Sequence, residues 1–327
     1  MAHLPVLGGT VIGVDIGGTK VAAGLVSPDG KIEHRIRVPM VSSNGAGSGV
    51  AAVVSAIDRV TEEMRNASGT TYSVRGVGIC CPGPLDPNSG VVINPPNLPC
   101  WRNFPLAAEV SRLYSLPVKL DNDANAAALA EALWGSGRGY RNIFYVTIGT
   151  GIGTGIIFNG HIYHGRTGAA AEGGHVTIDY RGPRCGCGKR GCIEALASGP
   201  AIAKRAHDKF ADNPALDSII LHLVKGDINR ITSEVVGQAY ASGDQIAKEV
   251  LRETIELLSL WLGNMVDLLE PDVMIIGGGV ASILKPLFDE IRERIPACSV
   301  NSRSQEIPLL PASYGVDSGI AGGAALV

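Results

Sequence analysis

A short pattern occurs twice in this chain and restricts its fold more than any other feature. Val14-Asp15-Ile16-Gly17-Gly18-Thr19 is matched by Val146-Thr147-Ile148-Gly149-Thr150-Gly151. Each copy is an apolar run that closes on a glycine turn. A second apolar run follows each (21–26 and 155–158), then a turn ending in Gly30 or Gly160 and a third run. Short apolar runs bounded by glycine turns read as strands. A unit present only twice cannot stack into a solenoid, so the repeat predicts two α/β domains of common architecture. The 327 residues are enough for two domains with substantial cores.

The remaining organisation follows from periodicity and turn residues. Strands are expected over 10–16, 21–27, 31–38, 76–80 and 118–120, with a helix over 50–65 and a Pro-rich loop over 81–99. The strand ending at Leu120 runs into Asp121-Asn122-Asp123. An Ala-rich helix over 124–134 follows, closed by Gly135. Later come a long amphipathic helix over 245–269, a buried strand over 273–276, the triplet Gly277-Gly278-Gly279 with another helix, and a small apolar tail over 319–327. The longest apolar stretch, 273–284, is short and cut by glycines, so no membrane span is expected. Met1-Ala2-His3-Leu4-Pro5 lacks the basic and apolar regions of a secretory signal, and a cytoplasmic protein is expected. A net charge of −3 gives no footprint for nucleic acid.

Four groups of residues carry chemistry. Gly17-Gly18-Thr19-Lys20 and Gly149-Thr150-Gly151 offer close backbone N–H donors to a phosphate. Neither is a Walker A loop, and neither leads into a helix as a dinucleotide turn should; the competing reading is a pair of tight hairpin turns. Asp121-Asn122-Asp123, between a strand and a helix, can supply a base for an alcohol or cap the helix. Cys185, Cys187 and Cys192 fall within eight of the residues of a chain whose seven cysteines are a poor disulfide framework. With an upstream histidine they form a closed, structural zinc set; His175 is favoured over His161 and His164. Glu172 and Glu194 flank that set and are carboxylates of the kind that hold sugar hydroxyls, or else solvated charges, with Glu194 serving a helix N-terminus.

Asp15-Ile16-Gly17-Gly18-Thr19-Lys20, Asn122-Asp123-Ala124-Asn125, Glu172-Gly173-Gly174-His175 and Cys185-x-Cys187-x4-Cys192-Ile193-Glu194 occur in this order. Together they resemble the ROK family (repressors, open reading frames, kinases) and, within it, the bacterial glucokinases, over essentially the whole chain. The resemblance implies a two-domain actin-like (ribonuclease-H-like) ATPase fold with an interdomain cleft. The small domain would be 1–122, completed by a C-terminal helix at 312–327, and the large domain 123–311 with the zinc loop.

The implied activity is ATP-dependent phosphorylation of a hexose at its 6-hydroxyl, glucose first. N-acetylmannosamine, N-acetylglucosamine, fructose or allose are the alternative substrates, and a sugar sensor without chemistry is the alternative function. Gly17, Gly18, Thr19 and Lys20 would form the first phosphate loop, with Asp15 positioning Mg²⁺. Thr147, Gly149, Thr150 and Gly151 would form the second, and Gly277, Gly278 and Gly279 would lie beside adenosine. Asp123 would be the general base and Asn122 its neighbour. Glu172, His175 and Glu194 would line the sugar, with Asn97 a further contact, and His175 would bind the structural Zn²⁺ through its other ring nitrogen. A homodimer or homotetramer is expected. The family usually carries a larger apolar residue where this chain has Gly173, and the glycine is expected to loosen that loop. Only nine residues precede the first strand, which leaves no room for a repressor's helix-turn-helix.

Overall fold

The computed structural model describes residues 9–40, 45–67 and 73–327. The signal-peptide expectation at Met1 to Pro5 therefore lies outside the described residues. Strand β1 (Thr10–Ile16) is buried along nearly its whole length, as a strand covered on both faces must be. It turns at Gly17 into antiparallel β2 (Lys20–Val26), which pairs with antiparallel β3 (Ile32–Pro39). On its other side β1 runs parallel to β4 (Val74–Cys81). The Pro-rich loop holds a short hairpin, β5 (Leu85–Asp86) and β6 (Val91–Val92). Strand β7 (Val118–Asn122) then joins parallel to β4, giving the order β3-β2-β1-β4-β7.

The second copy of the pattern builds the second sheet: β8 (Ile143–Ile148), β9 (Ile152–Phe158), β10 (His161–Ile162), β11 (Val273–Gly277) and β12 (Leu309–Pro311), in the order β10-β9-β8-β11-β12. In both sheets the third strand lies beside the second, the second beside the first, and the fourth and fifth follow on the far side of the first. The repeated sequence thus corresponds to a repeated architecture.

Helices cover these sheets: α1 (Ala46–Asn66), α2 (Leu106–Tyr114), α3 (Asp123–Leu133), α4 (Ile193–Ala197), α5 (Gly199–Asp212), α6 (Ile219–Leu223), α7 (Ser233–Ala241), α8 (Gln245–Leu269), α9 (Ala281–Leu284), α10 (Phe288–Arg294) and α11 (Ser318–Ala325). The chain divides into two compact units, one of residues 1–143, 155–171 and 313–327, the other of 144–154 and 172–312. In the first, α11 lies almost backbone to backbone on the sheet. A Cβ on Gly78 would stand 1.8 Å from the Gly323 carbonyl oxygen and one on Gly13 1.9 Å from that of Ile320, so only glycine permits the approach. In the second, the buried face of α8 centres on Trp261, which meets Phe144 edge-on at 5.6 Å between ring centroids. Such a pair contributes about 0.5–1.5 kcal/mol beyond its buried area. Among the described residues, no helix is long and apolar enough to cross a membrane.

The parallel strands of the first sheet end level with one another. Asp15 is in register with Cys80, Cys80 with Asp121, and Cys81 with Asn122. The carboxyl ends of parallel strands are where open α/β sheets place their ligands.

Candidate active site

Asp121, Asn122 and Asp123, at the junction of β7 and α3, differ in their partners. Asp121 is buried; its carboxylate accepts the Asn122 N–H at 2.7 Å and the Asn125 side-chain amide at 3.2 Å, and pairs with His164 Nε2 at 2.5 Å. Asn122 is the cap of α3, its side-chain oxygen accepting the N–H groups of Ala124 at 2.9 Å and Asn125 at 3.4 Å. Asp123 opens the helix. One of its oxygens accepts the Ala124 N–H at 2.8 Å, and capping is not its duty. Its carboxyl reaches solvent, yet protein surrounds it densely. That desolvation lifts its pKa above the usual carboxylate value, against the opposing pull of the Ala124 N–H and the Asn122 side chain.

Asp15, at the end of β1, is raised to about 6, first by burial and then by the charge of Asp123. The Cys80 thiol, itself bonded to the Gly319 carbonyl at 3.2 Å, reaches Asp15 at 3.7 Å. The turn that follows is closed by the Gly17 N–H donating to the Lys20 carbonyl at 2.9 Å, and Thr19 and Lys20 are exposed. A Cβ on Gly18 would meet the Asn97 carbonyl oxygen at 2.8 Å, so the exposed Asn97 sits against this turn.

In the second unit the matching turn is closed by the Gly149 N–H on the Gly151 carbonyl at 2.9 Å. The Gly199 N–H at the start of α5 donates to the Gly149 carbonyl at 2.8 Å. Gly278 has φ +90 and packs its Cα against the backbone of Ile148, which a side chain would strike. Gly149, Thr150 and Gly279 border a pocket of about 580 Å³. Thr147 lies on β8 and Gly277 ends β11, where a Cβ would meet the Tyr145 hydroxyl at 2.8 Å; neither borders the pocket. Gly151 faces Glu194 instead.

The rest of the pocket wall is absent from the sequence-derived set: Gly199, Pro200 and Ala203 on α5, Ile231 to Glu234 at the start of α7, and Val280 after the glycine triplet. Ser198-Gly199-Pro200 carries a helix-start signal that could have pointed to the first group. Nothing in Ala203 or Ile231 signals a ligand.

His175, Cys185, Cys187 and Cys192 bring one donor atom each within 4.8 Å of all the others. His164 is held by Asp121, and His161 is an exposed residue of β10, so His175 is the histidine of the set. Zinc at about 2.3 Å from sulfur and 2.0–2.1 Å from nitrogen gives tetrahedral edges of about 3.8 Å between sulfurs and about 3.6 Å between sulfur and nitrogen. The Cys187 and Cys192 sulfurs are 3.7 Å apart, and Cys185 Sγ is 3.6 Å from His175 Nδ1. The four donors fit a structural zinc ion. Burial raises the Cys185 and Cys192 thiols, while the Lys189 backbone N–H lowers Cys187; a divalent ion would deprotonate all three.

The supporting loop is a tight knuckle. The Cys185 N–H donates to the Lys189 carbonyl at 2.8 Å, and the Lys189 ammonium donates to the His175 carbonyl at 2.6 Å. Glu194, in the first turn of α4, accepts the Ile152 N–H at 3.0 Å with one oxygen and lies 3.8 Å from His175 Nδ1 with the other. Glu172 immediately precedes the turn Gly173–His175. The expected loosening at Gly173 is not found: Gly173 is buried, and its N–H donates to Thr154 Oγ1 at 2.8 Å.

The chain matches the ROK family over residues 11–327. It is 33% identical over 317 residues to a glucokinase of Thermotoga maritima, covering 97% of this chain and 96% of that one. With a glucokinase of Streptomyces coelicolor it shares 34% identity over 319 residues, 97% of each. Among solved structures, a ROK family glucokinase from Streptomyces griseus in complex with glucose and AMPPNP is 34% identical, with a TM-score of 0.82 over 98% of this chain and 99% of that one.

Proposed function

The chain belongs to the ROK family, and from that premise we infer that it transfers the terminal phosphoryl group of ATP to the 6-hydroxyl of glucose. Full-length identity to glucokinases supports this reading, as does structural likeness to one that holds glucose and an ATP analogue. The same likeness gives the chain the two-domain actin-like ATPase fold expected from its sequence.

The observation that carries the chemistry is Asp123: relieved of capping by Asn122, it is a carboxylate whose pKa is raised toward the working range of a general base. As the sugar oxygen attacks the γ-phosphorus, its proton passes to Asp123, and ADP departs with the electron pair of the broken P–O bond. Mg²⁺, bound with ATP, supplies charge neutralisation on the phosphates, and Asp15 is the carboxylate proposed to hold it. The turns at Gly17 to Lys20 and Gly149 to Gly151, with Thr147, are proposed to cradle phosphates. Gly277 to Gly279, with the pocket behind Gly279, would take adenosine. Glu172, Glu194, Asn97, Asn122 and His175 Nε2 are proposed to hold the sugar hydroxyls; with Nδ1 on zinc, Nε2 carries the proton and donates. A cytoplasmic homodimer or homotetramer belongs to the same reading, and light scattering against the 34.0 kDa chain decides the assembly.

A panel of hexoses with ATP and a coupled ADP readout tests the function. Glucose is expected to give the highest kcat/KM, with little ADP formed in the absence of sugar. Sugar binding without ADP release would mark a sensor and end the kinase reading, whereas a better hexose would overturn only glucose.

The acid limb of kcat/KM is expected near pH 6 rather than near 4, because Asp15 at about 6 and the raised Asp123 must both be ionised. A limb near pH 4 would contradict these environments. The same shift has a stability counterpart of known sign. Asp15 binds its proton more tightly in the folded chain than in the unfolded one, so its contribution to stability declines as pH rises from about 4 to about 6.

A further inference from the structure

The sugar-facing turn Glu172 to His175 lies across the start of β9, and the contact is set by residue size. Gly174 rests on the Ile152 carbonyl: a Cβ there would stand 1.8 Å from its oxygen. Gly173 rests on Thr154, a residue only 4% exposed. A Cβ on Gly173 would stand 2.7 Å from Thr154 Oγ1 and 3.1 Å from Cγ2, so the branched threonine fills the space that a side chain at 173 would need. The hydroxyl also accepts the Gly173 N–H at 2.8 Å, in a buried contact. One residue before Gly153, the Ile152 N–H donates to Glu194 Oε2 at 3.0 Å. Residues 152 to 154 therefore support Glu172 and His175 through the two glycines, and Glu194 through a direct hydrogen bond. None of the three is itself a zinc ligand, and they follow directly on the phosphate turn at Gly149 to Gly151.

We propose that Thr154 is a positioning residue for sugar binding: its hydroxyl clamps the Gly173 N–H and its bulk fixes the height of the Glu172–His175 turn, so that threonine at 154 and glycine at 173 form a matched pair. The proposal rests on the reading of Glu172, His175 and Glu194 as sugar ligands. It explains why a glycine at 173 does not loosen the loop. The support is supplied from β9, and a larger residue at 173 would require a smaller one at 154.

The test uses the full-length, zinc-loaded protein and four readouts: glucose KM, kcat, ATP KM, and hydrogen exchange of segment 172–176 without sugar. Thr154→Val keeps the shape and removes the acceptor. It is expected to raise glucose KM about tenfold, the usual scale for a buried donor left unsatisfied, while kcat and ATP KM stay within about twofold. It should also speed exchange in 172–176. Thr154→Ser keeps the hydroxyl and should bind glucose nearly as well as the parent. Gly173→Ala is expected to raise glucose KM at least as much as Thr154→Val, and Thr154→Ala added to it should recover most of the loss, because the pair then fits again.

Thr154→Val with unchanged glucose KM and unchanged exchange overturns the proposal, as does a Gly173→Ala defect that Thr154→Ala deepens. Glu172→Gln separates the two levels. If it weakens glucose binding while Thr154→Val does not, the positioning role alone falls. If neither weakens it, the sugar-ligand reading falls, and the proposal with it.

Discussion

Replacing Asp123 by asparagine is expected to lower kcat by about 10²- to 10⁴-fold, the usual loss when a general base is removed, and to leave the melting temperature essentially unchanged. The substitution is nearly isosteric. The amide oxygen can still accept the Ala124 N–H that Asp123 now accepts at 2.8 Å. The helix cap is untouched, because Asn122 supplies it, and the Asp121–His164 pair behind the turn does not involve residue 123. Stability should not suffer for a second reason. Desolvation by the surrounding protein disfavours the ionised carboxyl of Asp123 in the folded chain, although it reaches solvent, so at neutral pH a neutral amide relieves that cost. Steady-state kinetics with glucose and ATP, set beside a thermal melt, check both halves. A variant with most of its activity would show that Asp123 is not the base; a variant that loses activity together with several degrees of melting temperature would make it a structural residue of α3.

The contrast between what the sequence disclosed and what it hid follows the reach of the interactions. β1 and α8 have the bounds the apolar periodicity predicts, because each buries a strong, continuous pattern along its own length. The twofold sheet architecture was legible because a strand, a glycine turn and a second strand are neighbours in sequence. The helices between Ile193 and Ala241 leave little trace in the sequence: α4 and α6 have five residues each, too few for a 3.6-residue period to declare itself, and in α5 the Ser-Gly-Pro start is the main signal. β9 begins at Ile152, earlier than its apolar run suggests, because Gly153 and Thr154 pair as strand although they read as turn residues.

At the candidate site the same division holds. Asp123, the glycine turns and the metal donors were named from sequence because their chemistry is local to a few residues. The hold on Gly173 is not legible in the sequence because its support, Thr154, lies on another element. The far wall of the pocket, from Ala203 and Ile231, was invisible because apolar residues carry no signature of what they face.

The zinc site gives the second large effect. Cys187→Ser is expected to take zinc from one ion per chain to nearly none and to raise glucose KM by at least about tenfold, while ATP KM changes by no more than about twofold. Cys187 is the exposed ligand of the four, so its loss opens the site on the solvent side without cutting a hole in the core. The consequence would reach the proposed sugar ligands because of where the zinc ligands stand. His175 closes the turn that Glu172 precedes, and Cys192 is the residue before α4, with Glu194 in its first turn. The segments that carry them are also joined beyond the metal donors, by the Ile193 N–H on the Val176 carbonyl at 3.1 Å, the Ile178 N–H on the Gly191 carbonyl at 2.9 Å, the Thr177 hydroxyl on the Arg190 carbonyl at 3.0 Å and the Lys189 ammonium on the His175 carbonyl, but these bonds are to backbone and leave the His175 ring unheld. One ion bonded to both segments would fix Glu172, His175 and Glu194 relative to one another, and without it His175 Nδ1 would lose the partner that aims the ring.

The pocket beside Gly279 is walled by α5, the start of α7 and the turn at Gly149, none of which supplies a ligand, so the nucleotide should be spared. Metal analysis of the purified variant, with separate glucose and ATP titrations, reads each part. Active parent protein without zinc, or a zinc-free variant with normal glucose KM, would remove the ion from the sugar site. An equal loss for both substrates would make zinc a support of the whole unit rather than of its sugar-facing loop.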